Sequence, residues 1–80
     1  MVTMSTQSVT PTEQILELAR EYFGGGMGLR ESRTSPFCVD FEGEGNSHIT
    51  VSVRPEDTRN VVEIDCHKWE EHVRQFLSRL

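Results

Sequence analysis

The first apolar pattern along the chain has the spacing of a helix. The residues that fall on one side at about 100° per residue are Ile15, Leu16, Leu18, Ala19, Tyr22 and Phe23. Thr10 and Glu13 have the spacing of a capping box, and Pro11 stands at the favoured first helical position. Gly24 follows the last apolar residue, as is common at a helix C-terminus. The pattern predicts a helix over residues 11–23.

Strict alternation of apolar and polar residues begins after residue 36. It predicts three strands, over residues 37–42, 48–54 and 61–66, separated by turns rich in Gly, Pro, Asp and Asn. The residues predicted to point toward the core are Phe37, Val39, Phe41, Ile49, Val51, Val53, Val62, Ile64 and Cys66. Short turns between such strands predict an antiparallel meander with one face toward water.

A second amphipathic helix is predicted to run from about residue 68 to the last residue, with Asp65 or His67 as its cap. Its apolar stripe consists of Trp69, Val73, Phe76, Leu77 and Leu80. The order is then α-β-β-β-α, an α+β class in which two helices pack on one face of a three-stranded sheet. Residues 1–9 are predicted to be a disordered tail and residues 10–80 a single domain.

Pairing apolar residues with apolar residues restricts the strand register, and registers displaced by one pair stay open as alternatives. We expect Phe41 opposite Ile49 and Val53 opposite Val62, which leaves a charged open face. The residues predicted to form a binding surface there are Asp40, Glu42, His48, Arg54, Glu63 and Asp65. Three interpretations of this face stay open: a merely solvated surface, a docking surface for a basic partner, or a cation site.

Charge narrows the classes of partner. The chain has 80 residues, with 13 acidic residues against 8 basic ones and a formal charge of −5. Nucleic acids and anionic lipids both attract basic surfaces, so neither is an expected partner. No stretch has the apolar length of a membrane span. Two cysteines without a CxxC spacing are expected to be reduced thiols, which favours a cytoplasmic location.

The residues that suggest chemistry are each better explained by structure. The glycines from Gly24 to Gly28 follow a helix, whereas a phosphate-binding loop precedes one. Cys66 is predicted to point into the core. His67 and His72 are five positions apart and lie on different sides of a helix. We therefore predict no catalytic residue, no metal ligand and no cofactor.

The expected function is a small non-enzymatic protein-interaction or regulatory module that presents an acidic sheet face or a strand edge to a protein partner. Homodimerisation is a further expectation, because a short chain gains core from a second subunit. One alternative is nucleic-acid binding, since double-stranded RNA-binding domains have the same order of elements. The other is a minor enzyme or metal protein that uses His48, the carboxylates or Cys66.

Overall fold

The computed structural model describes residues 2–80. In chain order, its elements are β1 (Val2–Ser8), α1 (Thr12–Ala19), a π-helical segment (Arg20–Gly26), β2 (Arg30–Ser35), β3 (Cys38–Glu42), β4 (His48–Glu56), β5 (Arg59–His67) and α2 (Glu70–Leu77). The strands of this range form one antiparallel sheet in the order β1-β5-β4-β3-β2. The predicted α+β class is confirmed.

A single hydrophobic core lies between the helices and one face of the sheet. Ile15 of α1, Phe23 of the π-helical segment and Val73 of α2 are fully buried in it. The ring of Phe23 lies between those of Phe41 and Phe76, at centroid separations of 5.8 and 5.1 Å. The apolar side chains of the strands point into this core, which leaves the opposite face of the sheet open to water.

The predicted register of the central strands is correct. Phe41 pairs with Ile49, and Val53 pairs with Val62. The outward pairs that follow from it are Glu42–His48, Asp40–Thr50, Cys38–Ser52, Thr50–Asp65, Ser52–Glu63 and Arg54–Val61. Burial of the apolar set on one face allows no slip by one residue, and the short turns between the strands select this register from those displaced by two residues.

The prediction of three strands is wrong, and β1 is the first of the two that were missed. Residues 1–9 were expected to be disordered, yet Val2–Ser8 pairs with β5 along its whole length; Met1 lies outside the described residues. Val2 and Met4 are half-buried and pack against the core. Backbone pairing with β5, together with this contact, holds a segment whose composition is mostly polar.

The second missed strand is β2, which occupies part of the loop predicted after the first helix. All of its residues are exposed, and it pairs with β3. Its register shifts between Glu31 and Arg33. The segment has no alternation of apolar residues to reveal a strand, since it is held at the edge of the sheet by backbone pairing and by polar contacts such as the Arg30–Glu42 ion pair.

Phe37 was predicted to point toward the core as the first residue of a strand. It precedes β3 in the turn after β2 and is 51% exposed. Its carbonyl oxygen accepts a hydrogen bond of 2.8 Å from the backbone N–H of Val53. Because the turn delays the start of β3 by one residue, to Cys38, the Phe37 ring lies outside the core.

The first helix does not end at Gly24, contrary to the prediction. The chain continues as a π-helical segment through Gly26, and the backbone N–H of Met27 bonds to the carbonyl of Tyr22 at 3.1 Å. Glycines have no Cβ to clash, so the wider helical turn passes through them. The left-handed residue comes later, at Gly28, with φ of 71°.

The predicted capping box at the start of α1 is also absent. Pro11 is the residue before the helix, and no side chain caps it. Thr10 instead joins the connection from β1, where its N–H donates to the hydroxyl of Ser8 at 3.1 Å. The side-chain amide of Asn60 donates to the carbonyl of Thr10 at 2.7 Å. These bonds tie the start of α1 to β1 and β5.

The second helix is shorter than predicted and has a different start. Asp65 and His67, the expected caps, both belong to β5. Lys68 and Trp69 then take left-handed conformations, with φ of 81° and 61°, and turn the chain sharply into α2. Two consecutive non-glycine residues in this region are unusual and strained.

Candidate interaction surface

The six residues predicted for the open face do lie on it, but β2 changes the charge around two of them. The Arg30 guanidinium lies 2.5 Å from a carboxylate oxygen of Glu42. Arg33 pairs in register with Asp40 one row further along. The Glu42 carboxylate is therefore paired with an arginine from a segment predicted to be a loop, whereas Asp40 has an arginine beside it in register but no ion pair among residues 2–80.

Asp40 is the least satisfied of these carboxylates. Its Oδ1 is screened from solvent and receives no hydrogen bond from residues 2–80. A buried acceptor without a donor is costly. The crowding that screens it comes from its place on β3, between β2 and β4 in the sheet.

Two further carboxylates of the face that lack an ion pair lie on β5, next to the edge of the sheet. Within the described chain, neither Glu63 nor Asp65 forms an ion pair. Toward β1 their neighbours in register are Ser5 and Thr3, and the Thr3 hydroxyl donates to Asp65 at 2.6 Å. These two carboxylates thus face a neutral strand at the edge of the sheet.

The remaining two predicted residues lie at opposite ends of the face. Arg54 forms an ion pair of 3.3 Å with Glu56 on its own strand. The ring of His48 stacks on that of His67, with 6.2 Å between centroids and 19° between planes. The sequence reading missed His67 because it placed this residue at the start of a helix rather than in β5.

The two edges of the sheet differ in composition. β1 has seven residues and no charge, and β5 is the only strand of residues 2–80 that pairs with it. β2 has three charged residues and a register shift. Charges and bulges are the usual protection of an edge against pairing with another chain. Only β2 has them.

A groove opens on the opposite side of the molecule, between the π-helical segment and α2. Its volume is about 570 Å³. Apolar side chains such as Tyr22 and Phe76 form much of the lining, with Glu21, His72 and Arg79 among the polar residues. The Arg79 guanidinium lies 5.1 Å from the centroid of the Tyr22 ring. No pattern in the sequence indicates this groove, because it depends on how two helical segments meet.

The two cysteines lie on opposite faces of the sheet, as predicted. Cys66 is buried in the core, and this burial raises the pKa of its thiol above the usual value of 9.0. The Cys66 thiol is therefore neutral at physiological pH. Cys38 is half-buried on the open face, where the Ser52 hydroxyl lies 3.7 Å from its sulfur.

Comparison with known proteins adds no family to this description. No protein-family model matches the chain, and no curated protein matches it in sequence. Among the described residues, no helix has both the length and the apolar character needed to cross a membrane. What can be said of function therefore rests on the surface itself.

Proposed function

We propose that this chain is a small non-enzymatic interaction module that binds an extended, basic segment of another protein along the free side of β1. The observation that carries the proposal is the uncharged edge strand, Val2–Ser8, beside the uncompensated carboxylates of Glu63 and Asp65. An exposed edge offers backbone hydrogen bonds to an added strand, and nearby charges select which strand is added.

The spacing of a sheet explains why the segment would be basic. Strands lie about 4.8 Å apart, so a strand added to β1 lies about two spacings from β5. The intervening open-face side chains of β1 include Thr3 and Ser5, which are short. Lys and Arg have long stems that lie along such surfaces with the charge at the tip. A basic side chain laid across Ser5 therefore points its charge toward Glu63.

The inner side of the same edge favours apolar residues in alternation with the basic ones. Val2 and Met4 are half-buried on this side, next to the core. Val9, which follows β1, is 78% exposed. The segment that fits is therefore an extended one that alternates basic and apolar residues.

A second copy of this chain fits the edge less well. β1 has no basic residue to offer, and each chain has a net charge of −5, so two copies repel. Nucleic acid fits less well again, because Glu70 and Glu71 follow Lys68 where a phosphate clamp would need basic residues. Both stay as outcomes of the experiments below.

The direct test is binding of a labelled heptapeptide that alternates lysine with valine, followed by fluorescence anisotropy. We expect saturable binding, weakened at least tenfold by the double change Glu63→Lys and Asp65→Lys. The matched control is Glu17→Lys with Glu44→Lys, which alters the net charge equally at exposed sites away from β5. We expect the affinity of the control variant for the peptide to stay within twofold of that of the unaltered chain, because the position of the charges and not their total sets the affinity.

Equal loss in both double variants would mean that the peptide responds only to overall charge, and the proposal would fail. No binding of the peptide at millimolar concentration would also remove it. A pull-down from lysate of the source cell, with and without nuclease, separates the alternatives. Recovery that disappears with nuclease would favour nucleic acid, and sedimentation that shows a dimer would favour self-pairing.

A further inference from the structure

Two histidines face each other across neighbouring strands at one end of the open face. His48 of β4 pairs in register with His67 of β5. Their rings stack with 6.2 Å between centroids and 19° between planes. His67 is exposed and His48 half-buried, so solvent reaches both. Adjacent imidazoles of this kind are the commonest ligands for transition metals in proteins.

The local hydrogen bonding leaves one nitrogen of His48 available. Its Nδ1 lies 3.4 Å from the carbonyl oxygen of Asn46. A carbonyl only accepts, so this contact places the proton on Nδ1 and the lone pair on Nε2. Histidines that bind metals usually donate their second nitrogen to such a carbonyl, which fixes the ring and its tautomer.

The backbone around the pair is held firmly. Residues 43–47 form the turn between β3 and β4, closed by a 3.0 Å bond from the N–H of Gly43 to the carbonyl of Ser47. The Trp69 ring, which follows His67 closely in the chain, packs so tightly on Gly43 that a Cβ there would lie 2.6 Å from it. The turn that precedes His48 and the segment that follows His67 therefore brace one another.

A shallow cavity adjoins the pair on the side of His48. It has a volume of about 390 Å³ and is lined by the turn, by His48 and by Glu42. The Glu42 carboxylate is paired with Arg30. The cavity gives an ion held by the histidines room for water ligands, with a carboxylate close by.

We infer that His48 and His67 together bind a divalent transition-metal ion of the type of Zn²⁺, Ni²⁺ or Cu²⁺. No three metal-ligating side chains cluster anywhere in residues 2–80, so water fills the other positions. With metal–nitrogen bonds of about 2.1 Å, the two ring centroids must lie roughly 4.5–5.2 Å apart. From 6.2 Å, the rings need to approach by about 1 Å and turn out of their stack.

Isothermal titration calorimetry of the full, untagged chain with ZnCl₂ and with NiCl₂ tests this inference. We expect one ion per chain at about pH 7.5, and at least tenfold weaker binding for His48→Gln and for His67→Gln. The control is His72→Gln, an exposed histidine of α2, for which we expect a change within twofold.

Absence of binding, or binding that survives both substitutions, would overturn the site. The site would equally be overturned if His72→Gln weakened metal binding as much as His48→Gln and His67→Gln do, since the ion would then be held nonspecifically. Circular dichroism of each variant checks the fold, and Glu42→Gln gives a further variant. Because Glu42 is not a primary ligand, we expect that substitution to change affinity less than loss of either histidine.

Discussion

β1 and β2 form the two edges of the same sheet, and they are held there by different means. β1 has Val2 and Met4 half-buried against the core. β2 is exposed at every residue. The inner strand next to each edge has buried apolar side chains on its core face, so the difference lies in the edge strands themselves. An edge strand with an apolar inner side adds buried apolar surface and so contributes to stability. An edge strand without one only supplies backbone and polar contacts to the strand beside it.

The same comparison separates the edges by function. The charges and the register shift of β2 hinder addition of a further strand. β1 has neither, although its contact with the core keeps it in place. An edge that is both stable and unprotected is suited to receive another chain, which is the reason the proposed function uses β1.

The largest expected effect on stability comes from the inner side of β1, and the inner side of β2 is its control. Met4 pairs with Ile64 and Thr34 pairs with Val39, so both point to the helical side. We predict that Met4→Asn lowers the free energy of unfolding by about 2–3 kcal/mol. Thr34→Asn should change it by no more than about 0.5 kcal/mol. Urea denaturation measures both, and equal losses would contradict the distinction between the edges.

A smaller loss is expected where β2 begins. A Cβ at Gly43 would lie 2.6 Å from the Trp69 ring and 3.1 Å from Cδ2 of Leu29, the residue before β2. We predict that Gly43→Ala costs about 1–2 kcal/mol, through crowding. Gly25→Ala is the control, because nothing lies within 4 Å of that position. Thermal denaturation that ranks the control as the worse variant would argue against this packing.

Burial of one of the two cysteines, Cys66, makes the stability of the fold sensitive to pH. Cys66 pairs with Val2 of β1, and Cys38 pairs with Ser35 of β2. Burial raises the pKa of the Cys66 thiol in the folded state, so above pH 9.0 the unfolded chain loses its proton first. We predict that this thiol's contribution to stability is constant below pH 9.0 and falls above it.

Denaturation midpoints between about pH 7 and pH 10 check this prediction. Cys66→Ala should remove part of the alkaline loss, whereas Cys38→Ala should leave its slope unchanged. If stability fell with pH at the same slope in the unaltered chain, in Cys66→Ala and in Cys38→Ala, burial would not be what keeps the Cys66 thiol from ionising.

The smallest expected effect on stability is at the outer side of β1. Ser5 is exposed and pairs with Glu63. We predict that Ser5→Lys changes the free energy of unfolding by no more than about 0.5 kcal/mol, yet weakens binding of the basic peptide at least tenfold by placing a like charge in its path. Anisotropy and urea denaturation of one preparation give both values. Full binding by this variant would place the peptide elsewhere.

The central strands could be predicted from the sequence, whereas the edges could not. Phe41, Ile49 and Val62 have a period of two, and burying them on one face excludes a slip by one residue, while the short turns between the strands limit slips by two. Edge strands form through backbone hydrogen bonds that any side chain permits. The sequence pattern of a polar segment such as β1 or β2 therefore predicts a tail or a loop.

The candidate site was predictable in part for the same reason. Glu63 and Asp65 follow from the central register, but the arginine that pairs with Glu42 comes from β2. The partner of His48 depends on β5 extending to His67, which the local pattern had suggested was a helix start. The helical groove needs the π-helical turns at Gly24–Gly26, where the glycines indicated a stop.

The central claim is that β1 is the edge that receives a partner strand. Hydrogen–deuterium exchange of the backbone amides, with and without saturating basic heptapeptide, tests it most directly. If a partner strand adds to β1, we expect slower exchange for the outward amides of Val2–Ser8 on binding and no change for Arg30–Ser35. Protection of Arg30–Ser35 instead, or of neither edge, would contradict it.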